Sequence, residues 1–346
     1  MKYYIGLDAH STTSTFAVVD EHGKCVLRET VTTAEKSLVH VINRLHGERH
    51  MTLEESSISQ WLYLHLKDKV DRLVICNPTY VAKKQGAKTD FRDALHLAQE
   101  LRTNHLQAVF HDSSHWMQLR VSVSGYLDIV QEIVRFKNRL KAVFRAEAIR
   151  TNENSFYKNK GRVIELQNPS AKFVAENLFR QIDFLEGEKE RYKNLFNENR
   201  KKYRPIRNLM TVPGISLIRA NIIAATVCQP ARFANKHKFW GYCMLVRHIQ
   251  KSGGKIYGNK RFYGRRELRN VFVGAAESAM RTETQLRDRY DALRARGVSH
   301  KDAKLNVARQ VASICLCLLK NNDKYNDNYL EHLKERKKLR IDFYNQ

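Results

Sequence analysis

Acidic side chains are scarce in this chain of 346 residues: 36 Asp and Glu stand against 61 Lys and Arg, a formal net charge of +25. Such a balance points to a phosphate-rich partner, because each neutralised phosphate releases condensed counterions. An anionic membrane surface would draw the same charge. Cysteine pairing is also missing. The six cysteines (Cys25, Cys76, Cys228, Cys243, Cys315, Cys317) form no C-x-x-C pair, and no Cys/His cluster has zinc-ligand spacing. Several lie in apolar runs, where Cys behaves as a small hydrophobe, so a reducing compartment is expected. No stretch approaches 18 consecutive apolar residues, which excludes a membrane-spanning segment. The first apolar run carries Asp8, which argues against a signal peptide.

With acids so few, their placement matters. Asp8 closes the apolar run Tyr3-Tyr4-Ile5-Gly6-Leu7, and Glu54 ends a second run, Met51-Thr52-Leu53. Asp90 and Asp93 open a helical pattern in Lys88-Thr89-Asp90-Phe91-Arg92-Asp93-Ala94; three residues apart, they share a helix face. Around them the patterning predicts strands at 3–8, 15–19 and 25–32, the last two joined by the turn residues Asp20-Glu21-His22-Gly23. A helix over 35–45, a strand into Glu54, a helix over 59–69 and a strand over 72–76 follow, and Asn77-Pro78 stops the last. Three strands and then alternating helix and strand predict an α/β layered domain with a mixed sheet. Residues 79–88, with Lys83, Lys84 and Lys88, read as a basic loop, and Thr89 as the N-cap of a helix to about 104.

From Leu119 the periodicity changes. Leu119, Val123, Tyr126, Val130, Ile133, Leu140 and Phe144 keep a 4-3 spacing interrupted by Lys137; Leu178, Ile182, Leu185, Tyr192, Phe196 and Tyr203 keep it again with Lys189 and Asn199 interposed. Two long helices are expected, paired either with each other as a hairpin or with another subunit as a coiled coil. Residues 151–170 between them read as a loop. Further on, Thr211-Val212-Pro213-Gly214-Ile215 separates two helical patterns, a short turn of the kind whose amides hold a DNA phosphate. The stretch 251–266 carries Lys251, Lys255, Lys260, Arg261, Arg265 and Arg266 with Tyr257, Phe262 and Tyr263 among them, and Arg269 lies just beyond. Basic residues interleaved with aromatics suit a nucleic-acid groove. Helices are expected over 267–285 and 299–330, then a solvated basic tail.

Phosphodiester cleavage needs a nucleophile at phosphorus and positive charge to stabilise the developing negative charge. Two Mg²⁺ ions about 3.5–4 Å apart supply that charge and require several carboxylate oxygens. Acids at two strand ends and one helix face are candidates for such a site. Spacing alone leaves solvated strand-end acids, or an Asp90 favoured by the helix dipole, open as the more ordinary readings, and it leaves Glu55 as an alternative to Glu54.

The ordered set of motifs resembles the insertion-sequence-110 family of transposases, the DEDD or bridge-RNA-guided recombinases. Ile5-Gly6-Leu7-Asp8 is similar to the family's first acidic motif, and Leu53-Glu54-Glu55-Ser56-Ser57 to its Glu-Ala-Thr-Gly, which selects Glu54. Cys76-Asn77-Pro78 with Lys88-Thr89-Asp90-Phe91-Arg92-Asp93-Ala94 is similar to the third motif. Val212-Pro213-Gly214-Ile215, Arg232-Phe233 and Ser252-Gly253-Gly254-Lys255 resemble its C-terminal domain, so that the likeness runs from about residue 3 to 320. The resemblance implies a RuvC-like, RNase H-type domain over 1–112 that binds Mg²⁺ through Asp8, Glu54, Asp90 and Asp93. It implies a coiled-coil connector over 113–205, a mainly α-helical transposase domain over 206–330 with Ser252 as nucleophile, and a basic tail over 331–346. It further implies target and donor DNA, a noncoding bridge RNA as guide, a homodimer that assembles to a homotetramer, and a prokaryotic cytoplasm. Lys83, Lys84, Lys88, Lys251, Lys255, Lys260, Arg261, Arg265, Arg266 and Arg269 are the expected nucleic-acid contacts. The chain departs from the family where Met244-Leu245-Val246-Arg247 replaces Gly-Leu-Val-Pro, where Lys260-Arg261-Phe262 replaces Ile-Ser-Lys, and where Ser57 replaces glycine. A metal-dependent nuclease that uses water, and a non-enzymatic nucleic-acid-binding protein, are the competing readings.

Overall fold

The computed structural model describes residues 1–79, 89–152, 156–261 and 264–326. The expected loop with Lys83, Lys84 and Lys88, and the basic tail, lie outside them. The chain divides into two compact units, Met1–Ser114 and the remainder from His115.

The first unit is built on a five-stranded mixed sheet. Its strands are β1 (Lys2–Ala9), β2 (Thr13–Val19), β3 (Cys25–Thr32), β4 (Glu48–Glu54) and β5 (Arg72–Cys76), in the order β3-β2-β1-β4-β5. β1, β2 and β3 are antiparallel neighbours, whereas β4 and β5 run parallel to β1. The turn between β2 and β3 closes because the Asp20 carboxylate accepts from the amides of His22 and Lys24 and Gly23 takes a positive φ of 86°. Strand pleating sends alternate side chains to opposite faces. On one face Ile5, Leu7, Phe16, Val18, Met51 and Leu53 form a core with helices α1 (Glu35–Asn43) and α2 (Ser59–Leu66).

The other face belongs to α3 (Asp90–Arg102), which buries Ala94, Leu97, Ala98 and Leu101 at helical spacing. It lies so close to β1 that a Cβ on Gly6 would collide with the Ala94 carbonyl oxygen and stand 2.6 Å from the Ala98 nitrogen. Thr89 caps α3 by accepting from the Arg92 amide. One pairing goes beyond the sequence pattern: the segment after α3 returns along the free edge of β5, where the Val109 amide donates to Ile75 O at 2.7 Å and Cys76 bridges Ala108. That edge strand is too short to show a period.

The second unit opens with α4 (His115–Ala146) and α5 (Pro169–Lys202), paired antiparallel within the chain. The heptad seam is therefore consumed intramolecularly. Its near half (Val123, Tyr126, Phe196) joins the main core, and its far half (Leu140, Phe144, Leu178, Phe179, Ile182) forms a core of its own. The polar interruptions have partners. Lys137 and Lys189 both bond Glu186, and Asn199 donates to the buried Asn221 at 3.1 Å. The connecting segment is more than a polar loop: its Phe156 and Leu166 plug the far core, and a 3-10 turn spans Lys160–Glu165.

After α5 come α6 (Arg204–Leu209), α7 (Leu217–Val227), α8 (Lys236–Tyr242), the hairpin of β6 (Arg247–Ser252) and β7 (Lys255–Arg261), α9 (Arg266–Ala279), α10 (Gln285–Ala295) and α11 (His300–Asn321). The core runs through α7, α9 and α11. Two helix limits differ from the sequence expectation. The helix expected over 267–285 stops at Ala279, and Thr284 caps the separate α10. The last helix ends at Asn321, where Asn322 turns left-handed, rather than near 330.

Candidate metal centre and basic hairpin

Gly6 and Asp8 point to the same side of β1, and α3 crosses that side with its N-terminus toward the strand end. The acids of the first helical turn, Asp90 and Asp93, are thereby carried to Asp8. Ligand atoms of Asp8, His10 and Asp90 lie within 4.8 Å of one another, and Asp8 Oδ2 is 3.4 Å from His10 Nε2. Burial pushes the Asp8 carboxyl above its ordinary range; His10 opposes the shift, and the charges of Asp90 and Asp93 add to it. A carboxyl whose neighbours' negative charge raises its proton affinity sits in a site short of positive charge. Carboxylate oxygens with one imidazole nitrogen are the donor set of a hard or borderline divalent cation.

Glu54 ends β4 beside Asp8, since β1 and β4 are in parallel register with Leu7 opposite Leu53. The pleat turns its neighbour the other way. The Glu55 carboxylate is held by His111 Nε2 at 2.5 Å and accepts from the Ser59 hydroxyl at 3.2 Å. His111 in turn faces Gln60 Oε1 at 2.7 Å. Sequence reasoning missed His10. The signal was available in Asp8-x-His10, which at a strand end puts both side chains on one face.

Ser252 lies in the other unit, at the end of β6, paired with Lys255 across the two-residue turn Gly253-Gly254. Both glycines have positive φ, 54° and 76°, as a type I′ hairpin turn requires. Ser252, Lys251 and Lys255 are all exposed, so the tip presents a hydroxyl and two cations to solvent. The hairpin was hidden in the sequence because its strands carry no apolar alternation; Ser-Gly-Gly-Lys as a turn was the one cue. Lys260 and Arg261 are on β7, and their side chains are outside the described residues. Arg266 is exposed at the start of α9 and Arg265 stands 4.0 Å from Glu267. Arg269 has a structural task, donating to Met244 O at 2.6 Å where that residue adopts φ +53°.

The Thr211–Ile215 turn packs on α9. A Cβ on Gly214 would collide with Ala275 O, and Arg219 donates to Gly214 O at 2.6 Å and to Ser278 at 2.9 Å. Burial lowers the proton affinity of that guanidinium.

A mixed sheet with Asp8, His10 and Asp90 gathered at one end, followed by a helical unit bearing a basic hairpin, suits a protein that acts on nucleic acid. A family model described as Transposase, the DEDD type of IS110, matches residues 5–147, and a second, described as Transposase IS116/IS110/IS902 family, matches residues 206–291. The chain belongs to the IS110 family of transposases. It is also similar to the "Insertion element IS110 uncharacterized 43.6 kDa protein" of Streptomyces coelicolor, at 29% identity over 118 residues. That match covers 34% of this chain and 29% of the relative, so the chain matches less than a third of the relative's length.

Proposed function

We propose that the protein is a DNA recombinase of a mobile insertion sequence, cutting and rejoining strands through a covalent Ser252–phosphodiester intermediate. The observation that carries this reading is the convergence of Asp8, His10 and Asp90, with Asp93 close by, in a chain of net charge +25. The strand order β3-β2-β1-β4-β5, with β1 antiparallel to β2 and parallel to β4, supports an RNase H-like, RuvC-like unit. Asp8, Glu54, Asp90 and Asp93 hold Mg²⁺, with His10 as a fifth donor. When bound, Mg²⁺ supplies charge neutralisation at the phosphate and at the leaving oxygen.

The chemistry balances without an outside energy source. The Ser252 Oγ gives its proton to a general base and bonds phosphorus; the bond from phosphorus to one DNA oxygen breaks, and that oxygen takes up a proton and leaves as a hydroxyl. A hydroxyl from a second strand then reverses the step on the new partner. One phosphodiester replaces another, so strand exchange needs no nucleotide cofactor. Lys251 and Lys255 steer the phosphate to the tip. Lys83, Lys84, Lys88, Lys260, Arg261, Arg265 and Arg266 are assigned to nucleic-acid contact. The partners are target and donor DNA, a bridge RNA that pairs with both, and further copies of the chain as dimer and tetramer.

A second reading, a metal-dependent nuclease with water as nucleophile, is favoured by one fact: the acids and Ser252 belong to separate units, so the acids need no serine to bind metal. A suicide DNA substrate separates the two. The recombinase leaves a protein–DNA adduct that Ser252→Ala and Asp90→Asn both abolish. A nuclease leaves no adduct and keeps cutting in Ser252→Ala.

A further inference from the structure

β4 ends on two adjacent carboxylates, at the point where the sheet stops directing them. The ladder to β1 closes at the pair Leu7–Leu53, and the ladder to β5 closes at Glu54–Cys76. The Glu55 amide adds one last hydrogen bond, to Cys76 O at 2.9 Å. Ser56 and Ser57 then lie outside any strand. Beyond the last pair the ladder no longer sets the roll of the chain about its own axis. Half a turn there would exchange the directions of Glu54 and Glu55.

A side-chain clasp takes over where the ladder ends. The Glu55 carboxylate stands 2.5 Å from His111 Nε2 and accepts from the buried Ser59, in the first turn of α2. The His111 ring is fixed in its turn. The Gln60 amide nitrogen donates to Asp112 O at 3.0 Å, which points Gln60 Oε1 at His111 Nδ1, 2.7 Å away. Tyr63 packs on the ring with centroids 5.6 Å apart. The His111 side chain is only 4% exposed, against 40% for Glu55. A buried ring with an oxygen at each nitrogen is the anchor, and the half-exposed carboxylate is what it anchors. The clasp also reaches across the sheet. His111 belongs to the segment that returns from α3 along β5, where the Asn77 amide donates to Gln107 O at 3.0 Å and the Val109 amide to Ile75 O at 2.7 Å. The end of β4 is thereby tied, past the end of β5, to the same stretch of chain as the helix that carries Asp90 and Asp93.

We propose that His111 is a positioning residue for the cation site: by anchoring Glu55 on the α2 side of the sheet, it holds Glu54 on the α3 side, toward Asp8. The inference rests on the reading of Glu54 as a cation ligand, and its test requires no DNA reaction. Polar partners one step behind the ligands commonly govern metal affinity by about tenfold or more.

The test is a Mn²⁺ titration of the full chain, read from the electron paramagnetic resonance signal of the free ion. His111→Ala weakens Mn²⁺ binding about tenfold. Glu55→Ala opens the same clasp from its more exposed end and has the same effect, so it carries the test if circular dichroism shows His111→Ala unfolded. His111→Gln, whose amide nitrogen can still donate to Glu55, recovers most of the affinity. In a Glu54→Gln background His111→Ala costs no further affinity, because the ligand it positions is already disabled. Its effect on melting in EDTA persists in both backgrounds. A His111→Ala chain that melts lower yet binds Mn²⁺ like the wild type overturns the proposal. So does an equal loss of affinity with and without the Glu54 carboxylate. Asp8→Asn separates the two levels of the reading. Undiminished Mn²⁺ binding in that variant removes the cation site and the clasp's role together; lost binding there, with His111→Ala unaffected, refutes the clasp alone.

Discussion

Asp90→Asn tests the acidic cluster through stability, independently of catalysis. At the 4.8 Å that bounds separations in the cluster, two unit charges repel by about 1 kcal/mol under water-like screening and about 3 kcal/mol at an effective dielectric of about 20. Asp8 is 22% exposed by side chain and Asp90 is exposed, so the smaller figure is the better guide. Removing the Asp90 charge should therefore stabilise the metal-free first unit by about 1 kcal/mol, or roughly 4 °C in melting temperature. Divalent cation should reverse the ranking. A cation at a hundredfold excess over its dissociation constant adds about 2.7 kcal/mol to the wild-type chain by mass action. The variant, short of one ligand, should gain much less. Calorimetric melting in EDTA and then in Mg²⁺ or Mn²⁺ reads both effects. Equal stability in EDTA together with equal metal-induced shifts would refute the cluster as a cation site.

Other consequences follow from single positions. Gly6→Ala should destabilise the first unit by about 3 kcal/mol, because the new Cβ meets α3 backbone that cannot yield without moving Asp90; urea unfolding measures it. Met244→Gly should stabilise the second unit by about 1 kcal/mol by relieving a left-handed φ on a side chain, checked by thermal melting. At Glu186, burial pushes the carboxyl up, but hydrogen bonds from Lys137 and Lys189 outweigh it and hold the group below its ordinary range. The folded state thus binds its proton less readily than the unfolded state, so stability is full above the ordinary glutamate value and is lost as pH falls below it. Glu186→Gln should flatten that acid-side decline in the helical content of the hairpin.

Much of the first unit was legible because each strand buries one face. Ile5, Leu7, Phe16, Val18, Met51 and Leu53 declare their strands through burial, and Thr89 declares the start of α3 through capping chemistry. The long helices were legible from their seam, but not their pairing, because a 4-3 repeat does not say whether its partner is the same chain. Asn199 and Lys137, which break the repeat, are the residues that tie it to Asn221 and Glu186 within the chain. What escaped had no periodic burial to report it. The β6–β7 hairpin is basic along its length, the strand at 107–109 is too short for a period, and His10 is exposed on a turn. Glu54 and Glu55 looked alike in sequence and are separated only by the pleat, which turns Glu55 to His111.

The central proposal is that the serine at the tip of the basic hairpin takes up DNA covalently in a metal-dependent reaction. Mass mapping of the trapped, nuclease-trimmed adduct tests it most directly. The account predicts a nucleotide remnant on the peptide containing Ser252, formed only with divalent metal and absent from Asp8→Asn. A remnant on any other residue, or efficient strand transfer with no adduct, contradicts it.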